Sequence, residues 1–275
     1  MSRARFYRYN LGVPLLMALA VFLLFDITEL DRAFSNLFYD PIAGAFPLEH
    51  NYMFEKIAHK WARILPNWTG ELAIIGSLLS LAWPLLARRR GSAAIRLLEG
   101  CRIAPVLRFT ARHRRDFFYV VCAFAFSTAL IHYLKSHTGV YCPVETTLYG
   151  GPQTRHEWFE NFTLWSKAGA GRCWPGGHAS SAFSLFALYF VARAHAWRYS
   201  RVLLWGISLM GFVYGTTRVL QGWHYMSHTL WAGLFVWFSS LLMALMFYGW
   251  QRLRQPLSGK GRAAYAALMQ QRMPG

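Results

Sequence analysis

Two short polar stretches and one lysine stand out against long apolar runs. Cys173-Trp174-Pro175-Gly176-Gly177-His178 opens one such run, and Thr216 to His228, reading TTRVLQGWHYMSH, lies in the tight connection between two others. Together with Lys135 they supply two cations (Lys135 and Arg218), two glycine amides (Gly176 and Gly177) and three histidines (His178, His224 and His228). That inventory suits an anion with a reactive centre. Phosphoryl transfer needs charge neutralisation on the peripheral oxygens, a nucleophile in line with the leaving group, and a proton donor for the departing oxygen. Pro175 pre-sets a helix start, and glycines behind it leave backbone N–H groups uncovered at the positive end of that helix.

These residues need elements that bring them to one place, and the composition says which. Of 275 residues 55% are hydrophobic and only 15% charged, too apolar for a soluble domain of this length. The excess is clustered in six segments, about 9–28, 69–87, 116–134, 178–195, 200–220 and 225–249, each near the roughly 20 residues that cross a hydrocarbon core as a helix. No alternating strand pattern suggests a barrel, so the expected fold is all-α, a polytopic membrane protein with a six-helix bundle. Residues 1–275 read as a single membrane domain: N-terminal helices and an interfacial segment over 1–115, a helical core over 116–250, and a tail over 251–275. Phe54, Ile57, Trp61 and Ile64 recur at helical spacing opposite Glu55, Lys56, His59 and Lys60, which predicts a helix in the interface plane.

The net charge of +17 raises nucleic acid as a partner. Its distribution argues otherwise. If the N-terminus is cytoplasmic, 20 of the 29 basic residues fall on that side and 9 on the other. The runs Arg88 to Arg90 and Arg112 to Arg115 then act as topology signals beside anionic lipid, and nucleic-acid binding is not expected. Both termini are placed in the cytoplasm. Lys135, Arg218, His178 and His224 all emerge on the far side, because they end or begin helices three, four and five, and Gln221 and Gly222 are nearly all that joins helices five and six.

The constellation resembles the type 2 phosphatidic acid phosphatase family, which shares its fold with vanadium haloperoxidases. That family carries a lysine followed seven residues later by Arg-Pro, then Pro-Ser-Gly-His, then Ser-Arg with a histidine six residues on and an aspartate four beyond. Here Lys135 precedes Cys142-Pro143, the second motif is Pro175-Gly176-Gly177-His178, and the third is Thr217-Arg218, His224 and His228. The resemblance covers roughly residues 116–249. It implies a membrane lipid phosphatase, with His224 as the nucleophile that becomes a phosphohistidine and His178 as general acid and then base. Lys135, Arg218 and the Gly177 amide would hold the phosphate. Cys142 stands where the family has arginine, so Arg172 or Arg155 would replace that cation. Gly176 replaces a serine and His228 the aspartate that orients the nucleophile, so either Glu145, Glu157 or Glu160 brings negative charge or the enzyme attacks a less demanding ester.

On this reading the protein lies in a bacterial inner membrane as a multi-pass protein with a periplasmic site, and uses no cofactor and no metal. Its partners are the bilayer and a lipid phosphate. A phosphotransferase using the same intermediate is the alternative enzyme, and an inactive lipid-binding or transport protein the alternative of another class. His224 and His228, four apart, also have the spacing of a metal pair, but HYMSH lacks the glutamate of the zinc-hydrolase motif. Cys142 and Cys173 share the outer loop, where they are either free thiols or a disulfide in an oxidising compartment; the disulfide is the expectation. It would hold the lysine and glycine sides of the cradle in register.

Overall fold

The computed structural model describes residues 2–56, 63–88 and 93–254. The central part of the expected interfacial helix, Arg89 and Arg90 of the run Arg88 to Arg90, and nearly all of the C-terminal tail lie outside these residues. Among the described residues the chain is helical, with only two isolated bridges. α1 (Arg3–Tyr7) and α2 (Val13–Val21) are joined and continued by π-helical turns into one apolar rod over Arg3–Asp26. α3 (Leu30–Asn36) and α4 (Tyr52–Glu55) follow, then α5 (Ile64–Ala87), two short helices α6 (Ala93–Gly100) and α7 (Ile103–Arg112), and the long α8 (Arg114–Thr138). After an irregular loop come α9 (Gly177–Phe183), α10 (Phe186–Ala194), α11 (Ser200–Leu220) and α12 (Met226–Leu253).

Five of these are long and apolar enough to cross a membrane: the N-terminal rod, α5, α8, α11 and α12. Their outer faces carry side chains that water would reject, such as Leu16, Leu78, Val202, Trp205 and Met246, each more than half exposed. Exposed apolar surface on that scale calls for lipid. The chain is therefore a multi-pass membrane protein.

The fourth expected span, 178–195, is not one helix. It is broken into α9 and α10 at Ser184 and Leu185. The cause lies in its serines: Ser180, Ser181 and Ser184 donate their hydroxyls to the carbonyls of Gly177, His178 and Ser181, and the turn closes through short i to i−3 bonds from Leu185, Ala187 and Leu188. Such back-bonding bends a helix and favours the tighter 3₁₀ turn. The segment can be short because it is internal. Ala182 and Ala187 are fully buried and Phe190 nearly so, with α8, α11 and α12 packed around them.

Close approach around this centre depends on glycines of α11. A Cβ on Gly211 would lie 2.3 Å from the Phe183 ring, and one on Gly215 would lie 2.0 Å from the Thr229 side chain. Small residues of this kind let membrane helices pack. Gly215→Ala is expected to cost about 1–3 kcal/mol by overpacking, read as a lowered unfolding midpoint in detergent. Gly206→Ala, on the same helix with nothing within 4 Å of the new carbon, is expected to leave stability unchanged or slightly raised.

Candidate active site

At one end of the bundle the last turn of α8, the first turn of α9 and the junction of α11 with α12 converge. α8 stops at Gly139, whose φ of +63° closes the helix where a Cβ would strike the Ala168 carbonyl at 2.6 Å. The following loop then folds back over the helix end. Thr163, Ala168 and Cys173 donate their N–H groups to the carbonyls of His137, Ser136 and Val140, and a disulfide joins Cys142 to Cys173 with the Cα atoms 5.1 Å apart.

Lys135, in the last turn of α8, donates its ammonium to the Arg172 carbonyl at 2.6 Å. It faces Gly177, where an added Cβ would lie 3.1 Å from the lysine Cε and 3.6 Å from Nζ. The bare glycine leaves room beside the cation. Gly176 has another use: its N–H donates to the His228 carbonyl at 2.8 Å, and a Cβ there would press on that oxygen at 3.1 Å. Its amide ties α9 to α12, so of the two glycine N–H groups only that of Gly177 is left for an anion. Arg172 is a fastener too. Its guanidinium donates to the carbonyls of Gly169 at 3.0 Å and Gly171 at 3.1 Å, and what it offers the site is its own carbonyl.

His224 is buried at the α11–α12 junction, with Nδ1 3.1 Å from the Cys173 sulfur and 3.3 Å from Nδ1 of His228. The Cys173 carbonyl accepts from the His228 ring. Of two facing Nδ1 atoms one must carry a proton and one must not. With a His228 N–H turned to that carbonyl, the consistent tautomers leave His228 Nδ1 bare to accept the Nδ1 proton of His224. His224 Nε2 then carries the lone pair. Burial, and after it the charges of Lys135, His228, Arg218 and His178, hold the His224 pKa well below the ordinary histidine value. Those four groups are therefore its electrostatic neighbours, and at neutral pH the ring is uncharged.

Arg218, in the last turn of α11, donates to the Glu55 carboxylate at 2.9 Å and to the Gln221 side chain at 2.8 Å. His178, the second residue of α9, stands beside Tyr214 with ring centroids 5.9 Å apart. None of the three loop carboxylates faces His224. Glu145 accepts the Cys142 N–H at 2.7 Å, Glu157 pairs with Arg155, and Glu160 accepts the Glu157 N–H at 2.7 Å. Arg155 itself lies over the Tyr225 ring, its charge offset by Glu157, Asp31 and Glu29. The sulfurs of Cys142 and Cys173 lie close enough to His224 to suggest a metal cluster, but bridged sulfurs offer no thiolate.

Two contributors from the N-terminal third have no signal in the sequence. Asp31, on α3 and 1% exposed, accepts the Ser227 N–H at 2.9 Å and caps the start of α12. Burial raises its pKa, and the bonds from Ser227 oppose that rise. Glu55 is the second, through Arg218. From the lysine a cavity of about 500 Å³ descends between α5 and α8, lined among others by Asn67, Glu71, Ser127, His132 and Gly177.

Residues 116–252 match the family model of the PAP2 superfamily, about half of the chain. The protein belongs to the PAP2 superfamily, the type 2 phosphatidic acid phosphatases and their relatives. Membership indicates a phosphatase-type activity on a phosphate-bearing substrate. Neither the comparison with curated proteins nor that with solved structures returned a match.

Proposed function

We propose that the chain is a membrane lipid phosphatase working through a phosphohistidine. Lys135, Arg218 and the Gly177 amide take the phosphate oxygens. The His224 Nε2 lone pair forms the N–P bond as the P–O bond to the lipid breaks, and His178 gives its proton to the departing oxygen. His178 then takes a proton from water as that water attacks the phosphohistidine, which releases inorganic phosphate and restores both imidazoles. The observation that carries this reading is the buried His224, its Nδ1 engaged by His228 and its neighbours the two cations and second histidine that the reaction needs. His228 does the orienting work of the family's aspartate as a neutral acceptor.

The 20-to-9 distribution of basic residues supports cytoplasmic termini and a site on the opposite side of a bacterial inner membrane. A disulfide beside the site fits that oxidising side. The cavity beside Lys135 is lined partly by apolar residues of the spanning helices α5 and α8, Ile74, Phe124 and Ile131 among them, which suits a lipid substrate.

The test is phosphate release by purified protein in detergent from a panel of lipid phosphomonoesters and diphosphates. Release from at least one of them, blocked by vanadate as a pentacoordinate mimic and independent of added metal, is expected. Binding of such a lipid without release would overturn the enzyme in favour of a binding protein.

Glu55 competes with the phosphate for Arg218. Glu55→Gln is expected to lower KM about two- to fivefold with little change in kcat, the scale of a partly exposed ion pair. An unchanged KM would mean that Arg218 keeps its partner during turnover.

A further inference from the structure

The end of the bundle away from the phosphate site holds a cluster that the proposed reaction does not use. His113, the residue between α7 and α8, brings Nδ1 to 3.0 Å from Asp116 Oδ2, and His195, which ends α10, brings Nε2 to 2.8 Å from the same oxygen. The three ligand atoms all lie within 4.8 Å of one another. Tyr248 of α12 donates its hydroxyl to the other carboxylate oxygen, Oδ1, at 2.7 Å, and so fixes the plane of the carboxylate. Both imidazoles are about one third exposed, which leaves an open side. Asp116 and Lys135 lie on one helix, 19 residues or about 28 Å apart along its axis.

We propose that His113, Asp116 and His195 form a divalent transition-metal site of the zinc class, with water completing the coordination, that clamps the ends of α8 and α10. Two imidazoles and one carboxylate are a ligand set for zinc and its neighbours. Calcium or magnesium would ask for more oxygen ligands than one carboxylate gives. Bonds of about 2.0–2.2 Å from a central ion would part the ligand atoms to about 3.4 Å in a tetrahedron, so each ring nitrogen would draw back by about half an ångström from Asp116 Oδ2, now at 3.0 and 2.8 Å. The hydroxyl of Tyr248 is the outer partner such a carboxylate ligand ordinarily has. The charges around the site are cationic, so an ion here relies on the Asp116 carboxylate to offset them. Arg115 and Arg252 lie over the Tyr248 ring, and Arg193 and Arg252 fasten the same seam through the carbonyls of Leu253 and Ala194. The ion would join two places that are far apart in sequence, the start of α8 and the end of α10, and α10 continues from α9, which carries His178 at its other end.

The experiment uses the full chain without a polyhistidine tag, stripped with chelator in detergent and titrated with zinc or cobalt ions. About one ion per chain is expected, with a cobalt absorption spectrum of nitrogen and oxygen ligation and a raised unfolding temperature, since an ion that binds only the folded state stabilises it. His113→Gln and His195→Gln, which keep hydrogen-bonding capacity, are expected each to weaken binding by more than about tenfold and to abolish the thermal shift. His224→Ala is expected to bind the ion as the unaltered chain does. Binding that vanishes in His224→Ala would place the ion at the phosphate site, and an unaltered chain that takes up no ion would leave the triad a hydrogen-bonded fastening; either result overturns the proposal. Should a glutamine variant fail to fold, the cobalt spectrum and stoichiometry of the unaltered chain still decide.

Discussion

His224→Ala is expected to bring phosphate release down to background, a loss of at least about 10⁴-fold in kcat. The size of the effect follows from what surrounds the ring. Its Nδ1 side is occupied by the Cys173 sulfur and by His228, so the free nitrogen is Nε2. His228 cannot replace it, because its own Nδ1 faces His224 and its ring is turned to the Cys173 carbonyl. In the proposed mechanism His178 is committed to the proton. Because burial and the neighbouring cations lower the His224 pKa, the ring stays neutral below the pH at which an ordinary histidine takes up its proton. The acid limb of kcat/KM that belongs to this group should therefore begin below pH 6.5, the ordinary histidine value. The measurement is single-turnover release with the best lipid of the panel, with trapping of acid-labile phosphoprotein in the unaltered chain. Full turnover in His224→Ala would end the phosphohistidine mechanism. His228→Ala tests a different role: it leaves the nucleophile and removes its acceptor, so a partial loss of kcat with KM retained is expected.

Much of this end of the molecule could be read from the chain, and the reasons are local. Lys135, His178, Arg218 and His224 stand at the ends of successive apolar runs, and runs that alternate in direction bring such ends to the same end of the bundle. The interruption of the fourth run was harder to read. It comes from Ser180, Ser181 and Ser184 turning to their own backbone, a choice that depends on the absence of other partners inside the bundle. In the sequence the Gly176 amide reads as an anion donor, because a glycine after proline opens a helix. That it donates to the His228 carbonyl depends on how α12 lies across α9, which no spacing encodes. Asp31 and Glu55 belong to the same class. Each is one acid in a segment whose pattern says only that it lies outside the membrane, and each acquires its role from a residue far along the chain, Ser227 and Arg218.

Loss of the Cys142–Cys173 bridge is expected to destabilise the fold and to slow turnover, and the two effects can be separated. The cysteines are 31 positions apart, and closing a loop of that length is worth about 3–4 kcal/mol in the chain-entropy model. The bridge joins parts of one loop that also touch α8: Cys173 donates its N–H to Val140 at 2.8 Å, and Thr138 donates its hydroxyl to the Trp174 carbonyl at 3.3 Å. Removing it should therefore loosen the segment that presents the Arg172 carbonyl to Lys135. Cys142→Ala and Cys173→Ala both break the bond, so both should lower the unfolding midpoint by a similar amount. They should differ in rate. Both sulfurs lie near His224, but it is that of Cys173 that stands 3.1 Å from Nδ1, so Cys173→Ala opens a space directly against the ring and Cys142→Ala one farther off. At a temperature where both remain folded, Cys173→Ala is expected to have the lower kcat by about tenfold, the cost of a slightly misplaced reacting group. Equal rates in the two variants would reduce the bridge to a staple. Alkylation of Cys142 and Cys173 without reductant, in protein taken from an oxidising compartment, would remove the bridge from the working enzyme altogether.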